Sequence, residues 1–122
     1  MKVSIVRASE LTADNSDPGV QALRLVTAAQ GAKTMTAGVA TFEPGAVILW
    51  HTHPCEETVI IIDGKATAHI EERRIPLQKY DTTIMPPNVP HRFSNDSDST
   101  ATIAYFYPMG DATRVPYAKA KG

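Results

Sequence analysis

The sequence predicts an all-β fold, a sandwich or barrel of many short strands, and three observations predict it. Short apolar or alternating runs follow one another along the chain. Turn-forming residues interrupt them at intervals of roughly 8–12 residues, the rhythm of an antiparallel sandwich or barrel. Only Ala22–Ala32 competes as a helix, and Val26, Thr27 and Gly31 weaken that alternative.

Taken in order, Val3–Arg7 alternates apolar and polar residues like a short strand. The polar stretch Thr12–Gly19 reads as a loop. Ala22–Thr27 and Lys33–Phe42 read as strands, and Pro44-Gly45 as a turn. Ala46–His53 and Glu57–Ile62 follow, separated by a corner at Pro54. Thr58–Ile62 is apolar on both parities, which predicts a central strand covered on each face. Asp63-Gly64 predicts a hairpin. Lys65–Glu71 alternates, with Ala66, Ala68 and Ile70 facing inward and Thr67, His69 and Glu71 facing solvent. Thr82–Met85, His91–Asn95 and Thr100–Tyr107 complete the strands, and the prolines of 86–90 exclude that loop from a sheet interior. From Pro108 to Gly122 the tail is polar and is expected to fray.

The 122 residues suit a single domain spanning 1–122, with strands in 1–42, a central core in 45–95 and the tail at 108–122. A net charge of −1 gives no basic face, so nucleic acid is not an expected partner. No run approaches the ~20 apolar residues of a membrane helix, and the first ten residues lack a hydrophobic leader. The lone Cys55 forms no internal disulfide, and a cytoplasmic location is the default expectation.

Chemistry concentrates in the middle of the chain. His51 and His53 stand two apart, so on a strand both imidazoles leave one face. Glu57 returns past the Pro54 corner, and His91 follows a rigid proline loop. Three imidazoles and a carboxylate suit Fe, Mn, Ni, Co or Zn, and the expectation is one divalent metal per chain held by His51, His53, Glu57 and His91.

The residues around these four sharpen the reading. Gly45, His51, His53, Glu57 and Gly64 stand at the spacings of the first cupin motif, and Pro86, His91 and Asn95 at those of the second. Two second-motif glycines are replaced: by Tyr80, which points to a different turn before Asp81, and by Asn88, which tolerates positive φ. The chain thus resembles the small single-domain, RmlC-like cupins. The resemblance implies a double-stranded β-helix, a jelly-roll barrel with the metal at its mouth. It also implies a metal-dependent enzyme acting on a small chelating organic substrate, a dioxygenase first, an isomerase or lyase next. A non-catalytic ligand-binding or sensor protein is the alternative.

The remaining candidates are read beside it. Cys55 is a packing residue or a fifth ligand. Alternation puts Val47, Leu49, Val59, Ile61 and Phe93 on the ligands' side, with Met35, Met85 and Tyr105 unassigned. Trp50 faces outward, beside Thr58, Ile60 and Ile62. That apolar face predicts a homodimer. Arg73-Arg74 reads as a solvated hairpin pair, with a substrate-carboxylate clamp as the lesser alternative.

Overall fold

A computed structural model describes residues 2–118. Ten strands form two five-stranded antiparallel sheets. They are β1 (Val20–Val26), β2 (Thr36–Phe42), β3 (His51–Thr52), β4 (Glu57–Asp63), β5 (Ala66–Ile70), β6 (Arg73–Leu77), β7 (Thr82–Met85), β8 (His91–Ser94), β9 (Ala101–Tyr107) and β10 (Val115–Pro116). The first sheet runs β1-β2-β9-β4-β7 and the second β10-β3-β8-β5-β6. From β2 onward the chain repeatedly crosses between them, which is the all-β sandwich expected from the short alternating runs. No helix among the described residues is long and apolar enough to cross a membrane.

The core lies between the sheets. Phe42, Val59, Ile61 and Ile103 from the first sheet meet Ala66, Ala68 and Phe93 from the second, all buried. Asn95 is fully buried behind β8, and its amide donates to the carbonyls of Phe42 (3.0 Å) and Ser99 (2.8 Å) while its oxygen accepts from Ser97. One side chain thus satisfies backbone groups that would otherwise be stranded away from water.

Several expectations fail, each for a definable reason. Val3–Arg7 forms no strand: Val3 and Ile5 are exposed and join no sheet among the described residues. Of Ala46–His53 only His51–Thr52 is a strand, joined by an isolated bridge from Val47 to Ser94. The alternation slips there, so Ile48 packs on the core while Val47 and Leu49 are exposed. Asp63-Gly64 makes no hairpin, because β4 pairs with β7 and β9 whereas β5 pairs with β6 and β8. It is instead a corner between the sheets. Ile62, next to it, is exposed, so β4 is not covered along its whole outer face.

The outer face of β5 is also not wet. Thr67 and His69 are buried, and Trp50 with them, its indole lying across the His69 ring (6.1 Å) and the Arg92 guanidinium (4.9 Å). The tail is ordered as far as it is described: Val115 and Pro116 pair with Thr52 and His51, and Arg114 forks onto Asp17. Residues 119–122 of the expected frayed end lie outside the described residues. Arg74 pairs with Asp96 on the exposed surface.

Tyr80 sits in the turn before Asp81, whose N–H donates to the Gln78 carbonyl at 2.9 Å. It keeps the left-handed backbone a glycine would take, φ 71°, and Asn88 does the same at φ 66°. Gly64, at φ 73°, cannot be replaced so easily, because an added Cβ would meet the Thr100 carbonyl and lie 2.9 Å from Ala101 Cα. Gly64→Ala is therefore expected to cost about 2–3 kcal/mol or more from combined strain and clash. Tyr80→Asn relieves strain at an exposed site and should stabilise by up to about 1 kcal/mol. Urea unfolding midpoints at equal m-value check both signs.

Candidate metal centre

Four buried side chains meet where β3, β4 and β8 begin. His51 on β3 and His91 on β8 are direct register partners, and their ring centroids are 4.4 Å apart. His53 follows beyond β3, before the Pro54 corner, and Glu57 opens β4. The loop before β8 is tied to this corner by the Asn88 N–H, which donates to the His53 carbonyl at 2.8 Å. His51, His53 and Glu57 are 3–4% exposed and His91 1%. The ring nitrogens offered by His51, His53 and His91 all lie within 4.8 Å of one another, a group able to hold a metal ion.

The tautomers follow from hydrogen bonding. Nδ1 of His51 lies 2.8 Å from the Leu49 carbonyl, that of His91 2.8 Å from Val89, and that of His53 3.0 Å from Thr113. A carbonyl only accepts, so each Nδ1 carries a proton and Nε2 is the nitrogen left to face a metal. Yet His91 Nε2 lies 3.0 Å from Glu57 Oε1, and His53 Nε2 3.6 Å from Glu57 Oε2. Bare acceptors at these separations need a cation between them, a proton or a metal ion. The donor set therefore fits a divalent metal.

The electrostatics agree. Burial lowers the His51 pKa to about 4, against which the hydrogen bond to Leu49 pulls the other way. Burial also lowers that of His53. Burial pushes Glu57 up, but a proton held between it and His91 Nε2, the Tyr107 hydroxyl and the nearby imidazoles outweigh it, and its pKa falls below the usual carboxylate value; without a metal, that shared proton is the cation between the two acceptors. Both histidines are thus kept neutral and the carboxylate charged, the protonation states a metal requires.

The site opens on a cavity of about 450 Å³ between the sheets, within the range of small-molecule sites. Val59, Phe93, Ile103 and Tyr105 line it as apolar wall, together with Ile48 in place of the expected Val47 and Leu49. Met35 is exposed and Met85 buried; neither lines the cavity. Asp14, Asp17, Arg24 and Arg114 line a polar part of it, and the exposed Arg24 marks that part as the open end. Cys55 is partly exposed, does not join the histidine group, and has its thiol pushed up by burial and by Glu57, so it is a poor thiolate. His69 is not a solvent residue: its Nε2 lies 2.8 Å from Ser94 Oγ, on the far side of the sheet from the metal group.

Two contributors were not anticipated. Tyr107 reaches His53 Nε2 at 3.2 Å and also hydrogen-bonds Glu57. It shares the parity of Tyr105 on β9, which was the available signal. The Thr113 carbonyl lies in the tail, where no side-chain pattern could mark it.

Residues 38–107 match the family described as Cupin domain. The chain is 26% identical over 106 residues to polyketide synthase CurC of Streptomyces cyaneus, covering 86% of this chain and 69% of that protein. It is 34% identical over 87 residues to protein SchB of Streptomyces halstedii, covering 70% of this chain and 62% of SchB. The chain thus spans about two thirds of the length of both relatives. Its fold is similar to that of the polyketide cyclase RemF of Streptomyces resistomycificus, with a TM-score of 0.78 at 16% identity over 97% of this chain and 89% of that one. With both motifs, two antiparallel sheets and this match in agreement, the chain belongs to the cupin family.

Proposed function

We propose that this cupin is a metal-dependent enzyme that cyclises or isomerises a small polycarbonyl substrate of the polyketide kind, with His51, His53, Glu57 and His91 holding the metal. The observation that carries the reading is three buried imidazoles with Nδ1 bonded to backbone carbonyls, two of which bring Nε2 within 3.6 Å of the Glu57 carboxylate, beside an apolar cavity. The likeness to CurC and RemF supports the substrate class.

A divalent metal bound there would polarise a carbonyl or enolate oxygen as a Lewis acid. The chain's own residues do the rest. Val59, Phe93 and Ile103 bind the carbon skeleton and exclude water from it. Tyr105 lines the cavity, and burial raises its pKa, so its hydroxyl stays a proton donor for a substrate oxygen. Tyr107 is raised further by burial and by Glu57, and remains a neutral donor to that carboxylate. Dioxygenase chemistry, the first expectation from the motifs, would use the same four residues. The apolar cavity and the polyketide-related likenesses favour ring closure or proton transfer over it.

A second copy of the chain is the proposed macromolecular partner. Trp50 no longer supports the homodimer, since it is buried within one chain. Half-buried Ile60 and the exposed Ile62 and Ile84 supply the apolar outer face instead.

Loading with zinc, iron or manganese should give about one ion per chain, and Glu57→Gln, which removes the charged ligand itself, should lower affinity by at least the roughly 10–100-fold that loss of an outer-shell partner brings. Incubation with a synthetic poly-β-carbonyl thioester should give cyclised product without oxygen consumption. Metal uptake with oxygen consumption would replace cyclisation by oxygenation, and binding without turnover would leave a ligand-binding protein.

The pH response follows from the imidazoles. Free histidine titrates near 6.5, which by itself would release metal between about pH 7 and 5. With His51 lowered to about 4, release should move toward the acid end of that window or below it. The metal-free protein shows the linked effect on stability. A group with a depressed folded pKa takes up its proton more readily when unfolded, so His51 costs nothing above pH 6.5 and progressively destabilises the fold as pH falls to about 4. The full effect is on the order of 3 kcal/mol. Urea midpoints of the metal-free chain should fall from pH 7 to pH 4, and His51→Gln should flatten that fall.

A further inference from the structure

We propose that the Asp17–Arg114 ion pair is a positioning device for His53, holding the Thr113 carbonyl that fixes the ring's tautomer. The inference rests on the reading of His53 as a metal ligand. The three histidines are not held alike. His51 and His91 bond carbonyls two residues upstream, Leu49 and Val89, so their anchors are part of the same short segment. The anchor of His53 is 60 residues away. Thr113 belongs to no strand, and the β10 that follows it has only two residues.

The segment must therefore be held by side chains. Arg114, the next residue, places both guanidinium nitrogens on the two oxygens of Asp17, at 2.9 and 2.8 Å. A bidentate fork fixes direction as well as distance. Both side chains are partly buried, 32% and 20% exposed, where such a pair is screened less than on an open surface. Asp17 is itself anchored: its carbonyl accepts from the Val20 N–H at 3.1 Å, and Asp14 and Ala22 exchange two backbone bonds beside it. On the other side of Thr113, the Ala112 N–H donates to Thr36 Oγ1 at 3.0 Å. The Ala28 N–H also donates to Asp111 Oδ1 at 3.1 Å, Thr36 Oγ1 to the Met109 carbonyl at 2.8 Å and the Tyr117 N–H to the Trp50 carbonyl at 2.9 Å, but the fork is the contact made by the residue next to Thr113, and its loss frees that peptide to turn. His53 would then lose the partner that keeps its proton on Nδ1, and with it a fixed Nε2 lone pair. Both members of the pair also line the cavity, so the clasp joins the N-terminal loop to the tail across its polar end.

The test uses the full chain with Asp17→Asn, Arg114→Lys and the exchange Asp17→Arg/Arg114→Asp. Zinc affinity is read by competition with a chromophoric chelator, and imidazole tautomers by nitrogen NMR of the metal-free, histidine-labelled protein. Both single variants should bind zinc about tenfold more weakly, as loss of an outer-shell partner does elsewhere. His53 alone should lose its Nδ1–H signature, with His51 and His91 unchanged, and the exchange should recover part of both effects. A purely structural pair would shift unfolding midpoints without touching the His53 signal. Zinc binding in the parent with equal binding in both variants, or an unaltered His53 tautomer, overturns the proposal. A parent that takes up no metal overturns the metal reading, while the NMR arm still decides whether the clasp sets the tautomer. Should Asp17→Asn fail to fold, Arg114→Lys, which keeps the charge and loses the fork, decides alone.

Discussion

Every buried imidazole of the site spends its one proton on a backbone carbonyl, and the rest of the centre depends on that constraint. Once Nδ1 is committed, the three Nε2 atoms are acceptors, and Glu57 adds two more in the same place. Acceptors gathered away from water are expensive, costing a few kcal/mol for each left unpaired. A positive species settling there would offset that expense, as the proposed metal would. Tyr107 relieves part of it by offering its one hydroxyl proton to Glu57, with His53 Nε2 3.2 Å from the same oxygen. The depressed pKa of His51 is the same fact seen in titration: burial resists the proton that would otherwise end the conflict. A divalent cation ends it without that resistance, because it is attracted to all the acceptors together.

The residues of this centre were legible in the sequence because their spacing is set by backbone devices that leave marks. His51 and His53 share a face by strand geometry, Pro54 forces the corner that returns Glu57, and the prolines before His91 stop the preceding strand. The strands β2, β4, β5, β7, β8 and β9 were legible for a similar reason, since their inner residues keep a period of two, whereas β6, with exposed Arg73, Arg74 and Pro76, carries no such pattern and was not read as a strand. What fails is whatever alternation does not encode. It assigns His69 and Trp50 correctly to the side away from the core, but it cannot tell that they cover one another there. Nor can it tell that the strands flanking Asp63-Gly64 belong to different sheets, because a turn residue specifies local φ and not the strand's later partner. The polar tail misleads by composition: beside a two-residue strand, its contacts are a carbonyl and an ion pair, which leave no alternating run to read.

The two replaced motif glycines carry the most instructive difference between a residue pattern and what it specifies. Tyr80 and Asn88 keep positive φ although neither is glycine. Their backbones are held there by bonds to the strands that build the site. The Tyr80 N–H donates to the Ile61 carbonyl at 2.7 Å, and the Ile61 N–H to the Asp81 carbonyl at 3.0 Å. The Asn88 N–H donates to the carbonyl of His53 itself. A left-handed residue costs about 1–2 kcal/mol, and one or two satisfied buried hydrogen bonds are of that size. The strain is thus offset by the same bonds that set β4 against β7 and the proline loop against the His51–His53 segment. What these positions supply physically is a backbone conformation that brings His91 and Glu57 up to His51 and His53, and glycine is only the residue that reaches it with least strain.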